Sequence, residues 1–129
     1  MSDERAVKKI LIVDDDRASR VLMRTMLQSL AEPCHISEAI GGQQALRIIE
    51  ANQPDIVLLD VLMPDMDGVS LCDTIKRTLE TRQTKILMVT ARRDERMIRA
   101  GLLAGADDYI TKPFTQDQFL GAVQRLMTA

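Results

Sequence analysis

Two unbroken apolar runs in this chain end in acid. Ile10-Leu11-Ile12-Val13 leads straight into Asp14-Asp15-Asp16, and Ile56-Val57-Leu58-Leu59 leads into Asp60. Runs that are continuous rather than alternating belong to strands buried on both faces, as in a parallel sheet covered by helices. If these two strands are parallel neighbours, their ends gather carboxylates at one rim of the sheet. Two such charges about 4 Å apart cost roughly 4 kcal/mol at an effective dielectric of 20. A fold that holds them together at neutral pH needs a counter-charge, and the natural candidates are a hard divalent cation with oxygen ligands and a lysine.

The same kind of run recurs at 86–89, with weaker strand candidates at 34–39 and 108–111. Helical spacing fills the gaps. Met23, Met26, Leu27 and Leu30 fall at i, i+3, i+4 and i+7, and Ala45, Ile48 and Ile49 repeat the pattern. Leu71, Cys72, Ile75 and Leu79 mark a helix before the fourth strand, and Met97, Ala100, Gly101 and Ala104 mark one after it. Phe119, Ala122, Val123 and Leu126 mark the last. Pro33 and Pro54 precede strands, Gly41-Gly42 opens a helix and Gly105 closes one. The result is (βα)5 in one domain over residues 1–129, with its core at about 8–127 and no linker or repeat. Right-handed crossovers then give an α/β doubly wound parallel sheet of five strands in the order 2-1-3-4-5. Such sheets bind ligands beyond the carboxyl ends of their strands, at the switch point between strands 1 and 3, where Asp14, Asp15 and Asp60 lie.

Composition excludes several functions. A net charge of −2 leaves no general nucleic-acid footprint. The aromatics are Tyr109, Phe114 and Phe119, with no Trp, so single-strand stacking platforms are missing. Cys34 and Cys72 fit no CxxC pattern and read as two buried, reduced thiols of a cytosolic protein. One histidine argues against a His-based zinc site. No apolar stretch is long enough to span a membrane, and no signal-peptide pattern follows the charged N-terminus.

The motifs, taken in order, are Ile-Leu-Ile-Val-Asp-Asp-Asp from Ile10, Leu-Leu-Asp-Val-Leu-Met-Pro-Asp-Met-Asp-Gly from Leu58, Met-Val-Thr-Ala from Met88 and Tyr-Ile-Thr-Lys-Pro-Phe from Tyr109. In this order and spacing the chain, over roughly 8–127, resembles the receiver domain of bacterial two-component response regulators, of the chemotaxis-regulator kind, with a flavodoxin-like fold. The resemblance implies that Asp60 is the phosphoacceptor. It implies that Asp14 and Asp15, with Asp60 and the backbone carbonyl of Leu62, hold Mg²⁺. Lys112 would bring a point charge to the phosphoryl group, Thr90 a hydroxyl, and Ala91 a close backbone N–H. Thr90 and Tyr109 would form the switch, and the Lys112–Pro113 bond would be cis. A histidine kinase or histidine phosphotransfer protein would be the donor, and a downstream protein or an output domain in the same polypeptide the reader. The resemblance further implies a cytoplasmic signalling domain rather than an enzyme. It implies no direct contact with nucleic acid or membrane, and it admits a phosphorylation-dependent dimer. Apolar Leu62, Arg92 two after Thr90, and Lys85 in place of a frequent proline depart from the common pattern.

Plainer readings stand beside these. Asp16 reads as a helix N-cap and not a ligand. Asp65 and Asp67 read as solvated turn residues. Arg92, Arg93, Arg96 and Arg99 read as a solvated helix face. Two other functions compete. Asp65-Met66-Asp67-Gly68 matches the Asp-x-Asp-Gly signature of haloacid-dehalogenase-type phosphatases, but Met63-Pro64 stand where that motif needs an apolar strand. A flavodoxin-like electron carrier needs a phosphate loop that Asp14–Asp16 would repel. With no effector segment after Ala129, the chain is expected to be a stand-alone adaptor or the excised N-terminal input domain of a longer regulator.

Overall fold

The structure is a computed structural model and describes residues 7–128. Five strands alternate with five helices: β1 (Lys8–Val13), α1 (Arg17–Leu27), β2 (Cys34–Ala39), α2 (Gly42–Asn52), β3 (Ile56–Leu59), α3 (Gly68–Arg77), β4 (Lys85–Thr90), α4 (Glu95–Leu103), β5 (Asp108–Thr111) and α5 (Gln116–Thr128). The strands form one parallel sheet in the order β2-β1-β3-β4-β5. The order inferred from the apolar runs is therefore the observed one.

The unbroken runs have a direct consequence in packing. Successive strand residues point to opposite faces. Ile10, Ile12, Ile56, Leu58, Leu87 and Val89 meet Met23, Leu27, Phe119, Ala122 and Val123 of α1 and α5 on one face. Leu11, Val13, Val57, Leu59, Ile86 and Met88 meet Ala45, Ile49, Leu71, Cys72 and Ile75 of α2 and α3 on the other, where Met97 of α4 also packs. Each fully buried Leu, Ile or Val contributes about 1.5–3 kcal/mol of burial, so both layers depend on the runs staying uninterrupted. α4 is the least buried helix: Gly101 is its only buried residue, and Leu103 is 80% exposed.

Helix ends follow the local chemistry. Asp16, Asp67 and Asp94 cap α1, α3 and α4 by accepting from Ser19 N–H, from Val69 and Ser70 N–H, and from Met97 N–H. Gly105, at φ 109°, ends α4 in a conformation that favours glycine. Three expectations are corrected here. α3 stops at Arg77 because Thr78 is extended, so Leu79 falls outside the helix and is 67% exposed. Leu30 likewise lies past the end of α1, although it packs against the core. Of the two thiols, only Cys72 is buried; Cys34 is half-buried.

Candidate functional site

Register builds the site. Val13 pairs with Leu59 and the ladder continues one step, with Asp60 N–H donating to Val13 O at 3.0 Å, so Asp14 and Asp60 leave adjacent strands side by side. On the other flank Leu59 pairs with Met88, and Thr90 pairs with Thr111, which puts Lys112 just past the end of the sheet. The Lys112–Pro113 bond is cis. Asp14 is fully buried, Asp60 is 8% exposed, and Asp15 faces solvent. One carboxylate oxygen from each lies within 4.8 Å of the others. The predicted acidic cluster is therefore formed.

One ammonium faces this cluster. Lys112 Nζ donates to Asp14 Oδ2 at 2.7 Å, to Ser19 Oγ at 3.1 Å and to Asp60 Oδ2 at 3.3 Å. Burial lowers the Lys112 pKa, but the bond to Asp14 and the charge of Asp60 outweigh it and leave it above the ordinary lysine value, so the group stays charged. Burial pushes Asp14 above the usual carboxylate range, and its bonds from Lys112 and Asp16 N–H only partly offset that. Three carboxylates against one lysine leave net negative charge, and the donors are hard oxygens. That set suits a hard divalent cation.

Asp60 is held more loosely than Asp14. Its oxygens accept from Leu62 N–H at 3.1 Å and from Lys112 at 3.3 Å, both near the long end of hydrogen bonding. The Leu62 side chain is half-exposed beside the site. Thr90 is fully buried, with its Oγ1 accepting from Arg92 N–H at 3.3 Å. Tyr109 is half-buried and its hydroxyl donates to Arg92 O at 3.0 Å. The Arg92 peptide groups thus touch both Thr90 and Tyr109. Ala91 between them is exposed. Arg93 is not merely solvated: its guanidinium donates to Lys112 O at 3.2 Å. Arg92 pairs with Asp94 at 3.1 Å, which holds the Asp94 carboxyl below its ordinary range.

Asp65 and Asp67 are exposed loop residues, as the turn reading has them, and each also binds a helix end. Asp67 caps α3. Asp65 accepts from Gly42 N–H at 3.0 Å and Gln43 N–H at 3.1 Å, capping α2 from the loop after β3, and those bonds hold its carboxyl low. The motif that superficially resembled a phosphatase signature is thus a loop whose carboxylates bind helix ends. Two residues at the site were not anticipated. Ser19 touches Lys112, and Arg20 donates to Asp14 O at 2.9 Å while pairing with Glu38 at 2.9 Å. Beside Lys112 lies a mostly apolar groove of about 400 Å³, lined by Ser19, Leu22, Met23, Pro113 and Phe114.

Comparison with known proteins points one way. The family model described as the response regulator receiver domain matches residues 10–124. Response regulator MprA of Mycolicibacterium vanbaalenii is 39% identical over 119 residues, which is 92% of this chain and 50% of that protein. Transcriptional regulatory protein CpxR of Escherichia coli K12 is 37% identical over 121 residues, 94% of this chain and 50% of that protein. The chain therefore spans about half the length of the relatives it matches. A response regulator structure from Chloroflexus aurantiacus superposes with a TM-score of 0.89 at 33% identity, covering 95% of this chain and 99% of that one. The beryllofluoride-activated DrrB receiver domain superposes at 0.82 and 32% identity, with coverages of 95% and 99%.

Proposed function

Because the chain belongs to the response regulator receiver family, we propose that it is a phosphoacceptor domain in which Asp60 takes a phosphoryl group from a histidine kinase or a histidine phosphotransfer protein. One observation carries this reading. A loosely held carboxylate at the end of the central strand has Asp14 and Asp15 oxygens within 4.8 Å and a charged lysine at 3.3 Å.

In the transfer, an Asp60 oxygen forms the new bond to phosphorus as the bond from phosphorus to the donor's imidazole nitrogen breaks, and that nitrogen keeps the electron pair. The product is an acyl phosphate on Asp60. Such transition states are loose, so positioning and charge neutralisation do most of the work. Asp14, Asp15 and Asp60, with the Leu62 carbonyl as a further oxygen, would hold Mg²⁺, which supplies neutralisation of the phosphoryl oxygens. Lys112 adds a fixed positive charge from the other side. Thr90 offers its hydroxyl and Ala91 its backbone N–H to the phosphoryl oxygens.

Output follows from the Arg92 peptide. Drawing the Thr90 hydroxyl toward Asp60 removes the acceptor of Arg92 N–H, and the same residue's carbonyl holds Tyr109. Phosphorylation is thereby read at the β4–α4 loop, α4 and β5. α4 buries little, so the shift is cheap. The reader is a partner protein or a second domain of the same polypeptide. CpxR, described as a transcriptional regulatory protein and about twice as long, favours the second. Among the described residues no helix is long and apolar enough to cross a membrane, in keeping with a role in the cytoplasm.

The test is intact-mass analysis after incubation with acetyl phosphate. One phosphoryl group should add to the wild type only with Mg²⁺ present, and none should add to Asp60→Asn. Equal labelling of Asp60→Asn would defeat the proposal.

A further inference from the structure

The Lys112 ammonium has three N–H donors and no acceptor, and each donor has a partner. Two are the carboxylates of Asp14 and Asp60. The third is the Ser19 hydroxyl, 3.1 Å away on the first turn of α1. That hydroxyl has only one orientation open to it. Its hydrogen goes to Asp16 Oδ2 at 2.9 Å, so a lone pair faces Lys112. Asp16 is itself fixed as the α1 N-cap, accepting Ser19 N–H at 3.1 Å. An ordered chain thus runs from the helix cap through Ser19 to the lysine.

We propose that Ser19 is a positioning residue for phosphoryl transfer, acting through Lys112. This rests on the phosphoacceptor reading of Asp60. The three contacts of the ammonium are unequal, and the longest is the one to Asp60 at 3.3 Å. When a phosphoryl group arrives at Asp60, that contact is the one to be exchanged for a phosphoryl oxygen. Asp14 and Ser19 stay bound and keep Nζ within reach of the incoming charge. With Asp14 alone, the ammonium could swing about that single bond onto Asp14 and out toward water, since the Lys112 side chain is 22% exposed. Ser19 therefore supplies the second fixed point. Its bond to a charged group contributes most where water is excluded and least where water replaces it.

A purely structural role predicts something different. If Ser19 served only the cap, Ser19→Ala would keep the Ser19 N–H bond to Asp16 through its own backbone and leave Lys112 undisturbed.

Two readouts separate the cases in Ser19→Ala and Ser19→Thr, both with Mg²⁺. The first is the rate of acetyl phosphate labelling by intact mass. The second is the Lys112 ammonium signal in nitrogen-edited NMR, assigned by its loss in Lys112→Met. Ser19→Ala is expected to label at Asp60 roughly tenfold more slowly, the low end for losing a hydrogen bond to a charged group where water can intrude. Its Lys112 signal is expected to shift and exchange faster with solvent. Ser19→Thr keeps the hydroxyl and should recover both. An unchanged Lys112 signal in Ser19→Ala, or labelling at the wild-type rate, would overturn the proposal. A wild type that never labels at Asp60 would defeat the phosphoacceptor reading instead, and the ammonium signal would still decide whether Ser19 holds Lys112.

Discussion

Gly68 offers a sharp test of how the site is held. It is the first residue of α3, and its N–H donates to Val61 O at 2.8 Å, folding the loop after β3 back on itself. Its φ is not positive, so alanine suits the local backbone, and helix propensity alone would favour Gly68→Ala by about 1 kcal/mol. Packing opposes this. A Cβ there would sit 2.4 Å from Asp60 O and 2.7 Å from Val61 Cα. Both atoms are backbone, and ordinary contact needs about 3.5 Å, so the chain must open by roughly 1 Å. Overpacking costs about 1–3 kcal/mol, with the rigid neighbours here arguing for the upper end. Stretching the Val61 bond adds about 1 kcal/mol. The net expectation is a loss of about 2–3 kcal/mol. For a chain of 129 residues, with an unfolding entropy of about 2.1 cal/mol/K per residue, that corresponds to a fall in Tm of roughly 7–11 °C. Because the displaced carbonyl belongs to Asp60, labelling by acetyl phosphate should slow by about 10²-fold. Gly121 in α5 is the control: a Cβ there meets only Arg125 Nη1 at 3.5 Å, so Gly121→Ala should stabilise by about 1 kcal/mol. Urea titration and calorimetry of both variants decide it. A Gly68→Ala protein as stable as Gly121→Ala, or one that labels at the wild-type rate, would refute the reasoning.

Three further outcomes are expected. Mg²⁺ should stabilise the fold by RT ln(1 + [Mg]/Kd), about 2.7 kcal/mol at a hundred times Kd, read as a rise in Tm, and an equal rise in Asp15→Asn would remove that residue from the metal site. Thr90→Ala should still be labelled, but NMR shifts on adding beryllofluoride should stay near Asp60 instead of reaching α4 and Tyr109; identical propagation would mean that Thr90 does not couple site to surface. Glu38 accepts from Arg24 at 2.6 Å and Arg20 at 2.9 Å, with the Arg24 bond chiefly holding its pKa below the ordinary 4.5. Its contribution is thus present above pH 4.5 and lost as pH falls through the lower folded value. Urea titrations of Glu38→Gln should show a deficit of about 1 kcal/mol at pH 7 that closes below pH 4.5; a deficit independent of pH would rule out the charge as its source.

The parts of this molecule legible in its sequence are those written in contiguous residues. The continuous runs at Ile10 and Ile56 announced strands buried on both faces, and their acidic ends announced the cluster, because parallel neighbours in register must end together. Asp16 read as a cap for the same local reason. Leu79 misled because helical spacing continues in the sequence after Thr78 has turned extended. The capping role of Asp65 is not legible because its partners, the N–H groups of Gly42 and Gln43, lie more than twenty residues earlier and only the folded loop brings them close. Ser19 was invisible as a site residue. Its place three residues after Asp16 signals the first turn of a helix, but nothing local signals Lys112, which lies 93 residues further along.

The central claim is that Asp60 itself carries the phosphoryl group. An acyl phosphate on an aspartate is reduced by borohydride to homoserine, so the acceptor can be read directly by sequencing the trapped peptide. After acetyl phosphate and Mg²⁺, the account predicts homoserine at position 60 and unmodified aspartate at positions 14, 15, 65 and 67. Homoserine at any of those four, with Asp60 intact, would contradict it.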